Sequence, residues 1–540
     1  MTELLHPGVY VQEVPSAVRP IEGVSTSTAA FVGVAEKGPV PGTLLPTGRM
    51  AQPVLVTSLT DYMRQFGGFL RESFLTYAAR AFFENGGRRL YIVRVVGQSV
   101  TTPPQPAREA TSAGSAALAI SAASPGAWGN RLSVRVDDSS DGDTTNNFRL
   151  VVLDDGIPVE AFDRLTFQGS PNLAPGATNP ADYGRTAVNS RSEYIAITAD
   201  FTARPANGTI TLANGSDGPP LQPSEFVGTP APNSTVTGTG LHALDKITDV
   251  NLVAMPGQGD PTAVNAGMVY CKTRSLQDCF FIGDTGTVSS VDAARIEGTA
   301  PTVRTVGDVR TFATTGAAGT PLDRASGDYG AIYFPWILAS DPLGRGRNPT
   351  ILLPPSPFLA GIYARIDNSR GVFKAPAGTE AGVSGAVGVA VDVSDTEQDQ
   401  LNPISVNVVR TVPGSGFVVW GARTIGSDAS WRYVPVRRMA IFLRVSIYYG
   451  IQWAVFEPND EPLWASLRLN IRSFMLTQFR AGAFQGTRPD DAFFVKCDSS
   501  TTTQQDIDNG VVNILVGFAP LKPAEFVVLK LSQKVNQPAV

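Results

Sequence analysis

Residues 28–34, TAAFVGV, and residues 89–96, RLYIVRVV, decide the fold. Each is a short apolar run rich in β-formers, and each reads as a strand. Between them, residues 53–57 read as a third strand. Ser58 or Thr60 can then cap a helix that runs through Phe66 and stops at Gly67-Gly68. A second helix is expected over residues 72–85, with Gly86-Gly87 as its stop. Strand and helix signals alternating within one stretch point to an α/β layer.

The same alternation returns further along. Residues 250–255 read as a strand entering a Pro-Gly loop, residues 262–275 as a helix and residues 278–282 as a strand. Residues 376–395 read as a loop or weak strand. Between the two α/β stretches, residues 98–240 change character, with Ser, Thr, Gly, Pro and Ala dominating. Strands are expected there at 131–136, 148–153, 157–162, 194–198 and 209–212. Asp155-Gly156 separates two of them as a hairpin turn. Residues 437–456 suit a buried helix, apolar nearly all round. Asp460 or Asn459 caps the next helix, with Pro462 in its first turn and Leu463, Leu467, Ile471, Phe474 and Gln478 close to one face. Arg468 and Arg472 lie off that face, where they form either a solvated helix face or a docking face for an acidic partner. Residues 511–518 and 525–535 read as strands.

This reading describes an α/β (α+β mixed) multi-domain chain. It divides into an N-terminal arm at 1–25, an α/β core segment at 26–97 and a β-rich inserted outer domain at 98–240. An α/β middle domain at 241–395, an inner C-terminal α/β domain at 396–522 and a C-terminal arm at 523–540 follow. The arms are short, strand-prone and flanked by prolines. They read either as frayed termini or as strands for another chain's sheet. Val9, Tyr10, Val11 and Val14 carry the first arm, and Phe526, Val528, Leu529 and Leu531 the second.

Composition narrows the function classes. Hydrophobic residues make up 43% of the 540, enough for buried cores, while charged residues are only 17%, below the ~25% usual for soluble domains. With 53 glycines and 41 prolines, this suggests a turn-rich chain with much surface for protein contact. A net charge of −5 gives no whole-chain signal for nucleic acid. The N-terminus lacks a signal-peptide pattern, so cytoplasmic synthesis is expected. The most apolar run, 439–456, is interrupted by Arg444, Gly450 and Gln452 and is shorter than the ~20 residues that span a bilayer, so no membrane insertion is expected.

Chemistry finds few footholds. Cys271, Cys279 and Cys497 make no disulfide framework or zinc pattern. The two histidines, His6 and His242, sit in no catalytic motif. No Gly-Lys-Ser or Gly-Lys-Thr phosphate loop occurs. Pro256-Gly257-Gln258-Gly259 follows a strand and precedes a helix but lacks the third glycine of a dinucleotide loop, so it reads as a turn. The stretch 137–143, DDSSDGD, resembles a calcium loop. With Gly142 at the sixth position the twelfth is Phe148, where a glutamate is required, so a solvated hairpin tip fits better. Asp490-Asp491 and Glu457, Asp460 and Glu461 read as turn and cap residues. No catalytic residue, cofactor or metal is expected.

A set of motifs in order along the chain resembles the contractile phage tail sheath family, shared by phages and related bacterial injection systems. They are PGVYVQE at 7–13, TAAFVG at 28–33, FFENGG at 82–87, GAWGN at 126–130 and YGAIYFPW at 329–336, which looks like the family's central strand. PPS at 354–356, GIYAR at 361–365, GVFKAP at 371–376, VWGART at 419–424 and Arg437-Arg438 follow. FEPND at 456–460, Trp464, FVKCD at 494–498 and KPAEF at 522–526 complete the set. The resemblance implies a subunit that stacks in six-fold rings around an inner tube. The arms would add strands to a neighbour's C-terminal sheet; as a separate expectation, Arg468 and Arg472 are candidates to face an acidic tube. It implies partners in the tube, baseplate and terminal cap proteins, assembly in the bacterial cytoplasm, and contraction without nucleotide. Rival readings are another self-assembling tail or baseplate protein, and a secreted β-rich hydrolase.

Overall fold

The computed structural model describes residues 20–97, 111–112, 118–168, 181–233, 235–287, 301–316 and 319–526. The chain falls into two compact units, one of Ser25–Arg437 and one of Met1–Val24 with Arg438–Val540.

The larger unit opens with β1 (Ala29–Gly33), β2 (Val54–Val56), helices α1 (Leu59–Phe66) and α2 (Leu75–Glu84), and β3 (Leu90–Arg94). Ser58 caps α1, its Oγ accepting from the Asp61 N–H. Helix α2 starts three residues later than the composition suggests. Ser73 Oγ donates to the Val34 carbonyl and accepts from the Leu75 N–H, so the chain is still turning at 72–74.

The chain then builds the β-rich domain: β4 (Thr111–Ser112), β5 (Ile120–Ala122), β6 (Leu132–Asp138), β7 (Asn147–Asp154), β8 (Ile157–Thr166), β9 (Ile195–Ile197) and β10 (Gly208–Ala213). These form one seven-stranded sheet in the order β8-β7-β6-β10-β4-β5-β9, with neighbouring strands antiparallel throughout. All five strands expected here are present. Asp155 and Gly156 both take positive φ, the conformation a tight β7–β8 hairpin demands. Trp128, Leu132, Val134, Phe148, Leu150, Val152 and Val188 pack into its core.

The chain returns through β11 (Leu252–Ala254), β12 (Gln258–Gly259), α3 (Pro261–Thr273), β13 (Phe280–Asp284), β14 (Gly286–Thr287), α4 (Val306–Thr314) and β15 (Gly330–Phe334). Strands β16 (Ile337–Ser340) and β17 (Thr350–Leu353), α5 (Ser356–Arg370), β18 (Ala386–Val389), α6 (Asp395–Leu401), β19 (Val406–Val412) and β20 (Gly416–Val419) complete the unit. The main sheet runs β2-β3-β1-β11-β13-β15-β19-β20. Neighbours from β3 to β19 are parallel, and the edge strands β2 and β20 are antiparallel. Every residue of β1, β13 and β15 is buried, as parallel strands covered on both faces require.

In the smaller unit, α8 (Glu461–Arg480) carries the apolar stripe expected of it, with Leu463, Trp464, Leu467, Ile471 and Phe474 buried. Helix α7 spans Val434–Gly450. It is buried to Ser446, but Tyr448 and Tyr449 are exposed, and the chain leaves the helix before Phe456, which has positive φ and a fully exposed ring. Residues 20–24 run beside α7: the Val24 N–H donates to Ser446 Oγ, and Gly23 and Gly450 leave room for Phe442 and Ile21. The last two strands are β21 (Phe493–Lys496) and β22 (Leu515–Phe518). Strand β22 is shorter than the expected 511–518. The Val511 carbonyl accepts from Asn459 and the Asn513 N–H donates to Thr502, so these backbone groups are taken before a ladder can form.

Candidate assembly interface

Strands β21 and β22 pair antiparallel, Phe493 opposite Phe518 and Lys496 opposite Leu515. Alternation sorts the side chains. Phe493 turns inward against Phe484, which also meets Phe518. Phe494 and Leu515 are 45% and 52% exposed. The Phe494 ring lies across Gly517, where an added Cβ would stand 2.3 Å from Phe494 Cε1. Among the described residues neither outer edge of this ribbon meets a third strand. Two open edges carrying exposed apolar side chains are a template for strand addition.

Residues 20–24 and the described C-terminal residues to Phe526 belong to this unit. The exit is held where the Ala519 N–H donates to the Ala492 carbonyl and the Gln485 N–H to the Ala519 carbonyl. Phe526 is 76% exposed and lies in no strand. The other arm candidates, Val9, Tyr10, Val11, Val14, Val528, Leu529 and Leu531, lie outside the described residues, as do His6 and the 7–13 motif.

The two arginines of α8 flank the ribbon. Arg472 pairs with Asp490 at 2.8 Å, and its guanidinium sits 5.9 Å from the Phe493 ring centroid. Arg468 donates to the Cys497 carbonyl, at the end of β21, and to Glu461. Both are engaged within the chain, and both border the β21–β22 ribbon. Reading the sequence flagged the arginines but not β21 itself. Its signal was the Phe-Phe-Val run, too short to stand out after Asp490-Asp491.

The other candidate sites resolve into structure. In an open parallel sheet, ligands bind outside the carboxyl ends of strands where the winding reverses. Here the chain winds from β1 to β3 on one side and later to β11 on the other. Beside this point of reversal, a Cβ on Gly257 would stand 2.5 Å from the Phe74 ring, which packs edge-on against Trp336. Pro256-Gly257 is a turn, as expected, whereas Gln258-Gly259 form β12, paired antiparallel with β14. The acidic 137–143 stretch runs from the end of β6 into the tip of the β6–β7 hairpin, where Asp141 and Asp143 accept from Asn147 and Asn146. Those hydrogen bonds hold both carboxyls below the usual range. His242 pairs with Asp245 and packs edge-on to Tyr270. All three cysteines are buried, and burial pushes the Cys497 thiol up to about 11. Among the described residues no group of His, Cys, Asp and Glu is placed to hold a metal, and no helix is long and apolar enough to cross a membrane.

Comparison with known proteins places this architecture. The phage tail sheath protein central domain matches residues 239–425, and the phage tail sheath C-terminal domain matches residues 426–534. The chain belongs to the phage tail sheath family. The tail sheath protein of Vibrio phage KVP40 is 28% identical over 174 residues, 32% of this chain and 25% of that protein. The aligned stretch spans between a quarter and less than half of the first curated sheath relatives. Likeness of fold extends over the whole chain. The sheath of an extracellular contractile injection system, PVC, in its contracted state covers 99% of both chains at 21% identity and a TM-score of 0.55. The contracted helical sheath of the anti-feeding prophage covers 98% of this chain and all of its own, at 21% identity and 0.54.

In this sheath-family chain the sequence motifs act as clasps. Asp460 caps α8, while Asn459 accepts from Trp464 Nε1 at 2.9 Å. Asn407 binds the Arg423 backbone of the VWGART motif and the Ile332 carbonyl. Arg437 lies between the rings of Trp431 and Tyr329 and pairs with Asp328.

Proposed function

We propose that the chain is a structural subunit of a contractile tail sheath, a component of a phage tail or tail-like injection particle. It polymerises as six-fold rings stacked helically around an inner tube and contracts to drive that tube through a target envelope. The observation that carries this reading is the β21–β22 ribbon, neither of whose outer edges meets a third strand among the described residues. One arm from each of two neighbours completes it, with Val9, Tyr10, Val11 and Val14 on one edge and Phe526, Val528, Leu529 and Leu531 on the other. Such head-to-tail contacts propagate into helical assemblies. The arms act as tethers that persist while the bodies slide into new contacts, and the extended lattice is a kinetic trap.

The work is a change of lattice rather than turnover. The partners are other copies, the inner tube, and the baseplate and terminal cap proteins, joined in the bacterial cytoplasm. Arg468 and Arg472 contact an acidic tube surface, exchanging with Glu461 and Asp490. Reversing both charges is expected to stop assembly on tubes and to spare tube-free assembly; unchanged tube-bound sheaths would remove that role. For the central reading, negative-stain imaging of the purified full-length protein is expected to give striated hollow cylinders. Discrete monomers under assembling conditions would overturn it.

A further inference from the structure

The GAWGN motif has a partner on the main sheet. After β1 the chain makes a loop, residues 35–38, whose shape is imposed by Arg94 at the end of β3. The Arg94 guanidinium is buried and donates to the carbonyls of Ala35, Glu36 and Gly38. The Gly68 N–H holds the Glu36 carboxylate from the other side. Thus braced, the loop projects Lys37 into the β-rich domain, where it is only 6% exposed.

There the ammonium meets aromatic faces. Lys37 Nζ lies 3.7 Å from the centroid of the Tyr194 ring and 5.9 Å from that of Trp128, and the two rings meet edge to face. The motif's glycine sets the tryptophan: Gly126 has φ +142, and a Cβ there would stand 2.5 Å from the Trp128 ring. Asp217 accepts the Ala127 N–H, and Asn130 and Gly215 bond reciprocally. Ion pairs surround the cage. Arg131 spans Glu36 on the loop and Asp154 on β7, and Arg64 of α1 reaches Glu193 beside Tyr194. The Gly38 N–H donates to Ser124 Oγ at 3.0 Å. A buried ammonium is tolerated when ring quadrupoles and nearby carboxylates replace its hydration. Glu193, Glu36, Asp154 and Glu160 supply that charge.

We propose that Lys37 in its Trp128–Tyr194 cage is the pin that fixes the β-rich domain to the eight-stranded sheet, so that the two travel as one body. For a contracting lattice this means that the β-rich domain is carried rigidly with the main sheet. The inference rests on contacts within one subunit, so it stands or falls apart from the sheath reading.

The test measures distances between spin labels on the full-length chain, with one label at Asp141→Cys on the β6–β7 hairpin tip and one at Asp399→Cys on α6. The parent is expected to give one narrow distance distribution. Lys37→Met is expected to broaden it and to speed amide exchange at β5 and β9 by about 3- to 30-fold, the range a desolvated cation–π contact commands. Tyr194 is only partly buried, so Tyr194→Leu keeps the fold and carries the same test if Lys37→Met does not accumulate. The double variant is expected to be no looser than the worse single one, since each removes the same contact. An unchanged distribution in the folded single variants, or loosening that simply adds in the double, would overturn the proposal.

Discussion

Asp284 closes β13 with its carboxylate buried and three donors aimed at it: the Gly257 N–H, the Ser356 N–H and the Ser356 hydroxyl. It thereby ties the turn after β11 to the first turn of α5. Burial pushes its carboxyl up to about 6, against the pull of those hydrogen bonds, from an ordinary 3.8. A raised acid binds its proton more tightly folded than unfolded. Its contribution to stability is therefore fully present below pH 4 and is lost as pH rises through 6. The shift corresponds to roughly 3 kcal/mol. Asp284→Asn keeps the shape, cannot ionise, and leaves one backbone donor facing an amide N–H, at a cost of about 1–3 kcal/mol. Denaturant titrations of both proteins from pH 4 to 7 are expected to show the parent's advantage over the variant shrinking by that 3 kcal/mol order as pH rises. A constant difference would mean that Asp284 does not titrate in this window. Nothing in the sequence pointed to this residue, because its environment is assembled from segments 27 and 72 positions away.

Among elements, the β21–β22 ribbon separates folding from assembly. Gly517 is glycine because the Phe494 ring occupies the space of its side chain. Gly517→Val forces that ring off the ribbon and is expected to cost about 1–3 kcal/mol as overpacking, read as a lower unfolding midpoint, and to abolish polymerisation. Leu515 is half exposed on the strand's outer side. Leu515→Glu is expected to change monomer stability by no more than about 0.5 kcal/mol while preventing cylinders from forming. If Leu515→Glu assembled normally, the face it occupies would not receive an arm. Most elements outside this ribbon were legible, and for a physical reason. The strands at 29–33 and 90–94 are apolar runs, Ser58 and Asp460 announce their helices by cap chemistry, and the strand at 330–334 was marked only by the family resemblance. What was not legible as strand or helix includes apolar elements, β16, β17, α5, β19 and β20, whose runs are short or broken, as well as elements without apolar density. Strands β4 and β5 are Ser, Thr and Ala rich, and β21 is four residues long. Nor could periodicity show that Val511 and Asn513 give their backbone groups to Asn459 and Thr502 rather than to a ladder.

For the whole molecule, the question is how weak contacts hold a lattice. One arm forms a few backbone hydrogen bonds, each adding about 0.5–1.5 kcal/mol. Ordering it costs about 1–2 kcal/mol per residue. Burial of Val, Phe and Leu tips the sum, so a single arm is marginal and many arms acting together are not. Assembly is then steep in the number of arms each subunit carries. Removing residues 1–15 takes away Val9, Tyr10, Val11 and Val14; removing residues 525–540 takes away Phe526, Val528, Leu529 and Leu531. Neither deletion touches β21, β22, α8 or the main sheet. Each truncated protein is therefore expected to fold with parental secondary structure and to remain as monomers or short oligomers by sedimentation. The parent, at the same concentration, extends into cylinders. The two deletions test the two edges independently. If one truncated protein still formed full-length cylinders by electron microscopy, the tether would be wrong for that arm and the corresponding edge of the ribbon would be closed by something else. Mixing the two truncated proteins sharpens the test. Each retains the arm the other lacks, so a mixture is expected to restore only short oligomers, because alternate links along the lattice stay broken. Full cylinders from the mixture would show that one arm per subunit suffices and that multivalency is not what holds the lattice.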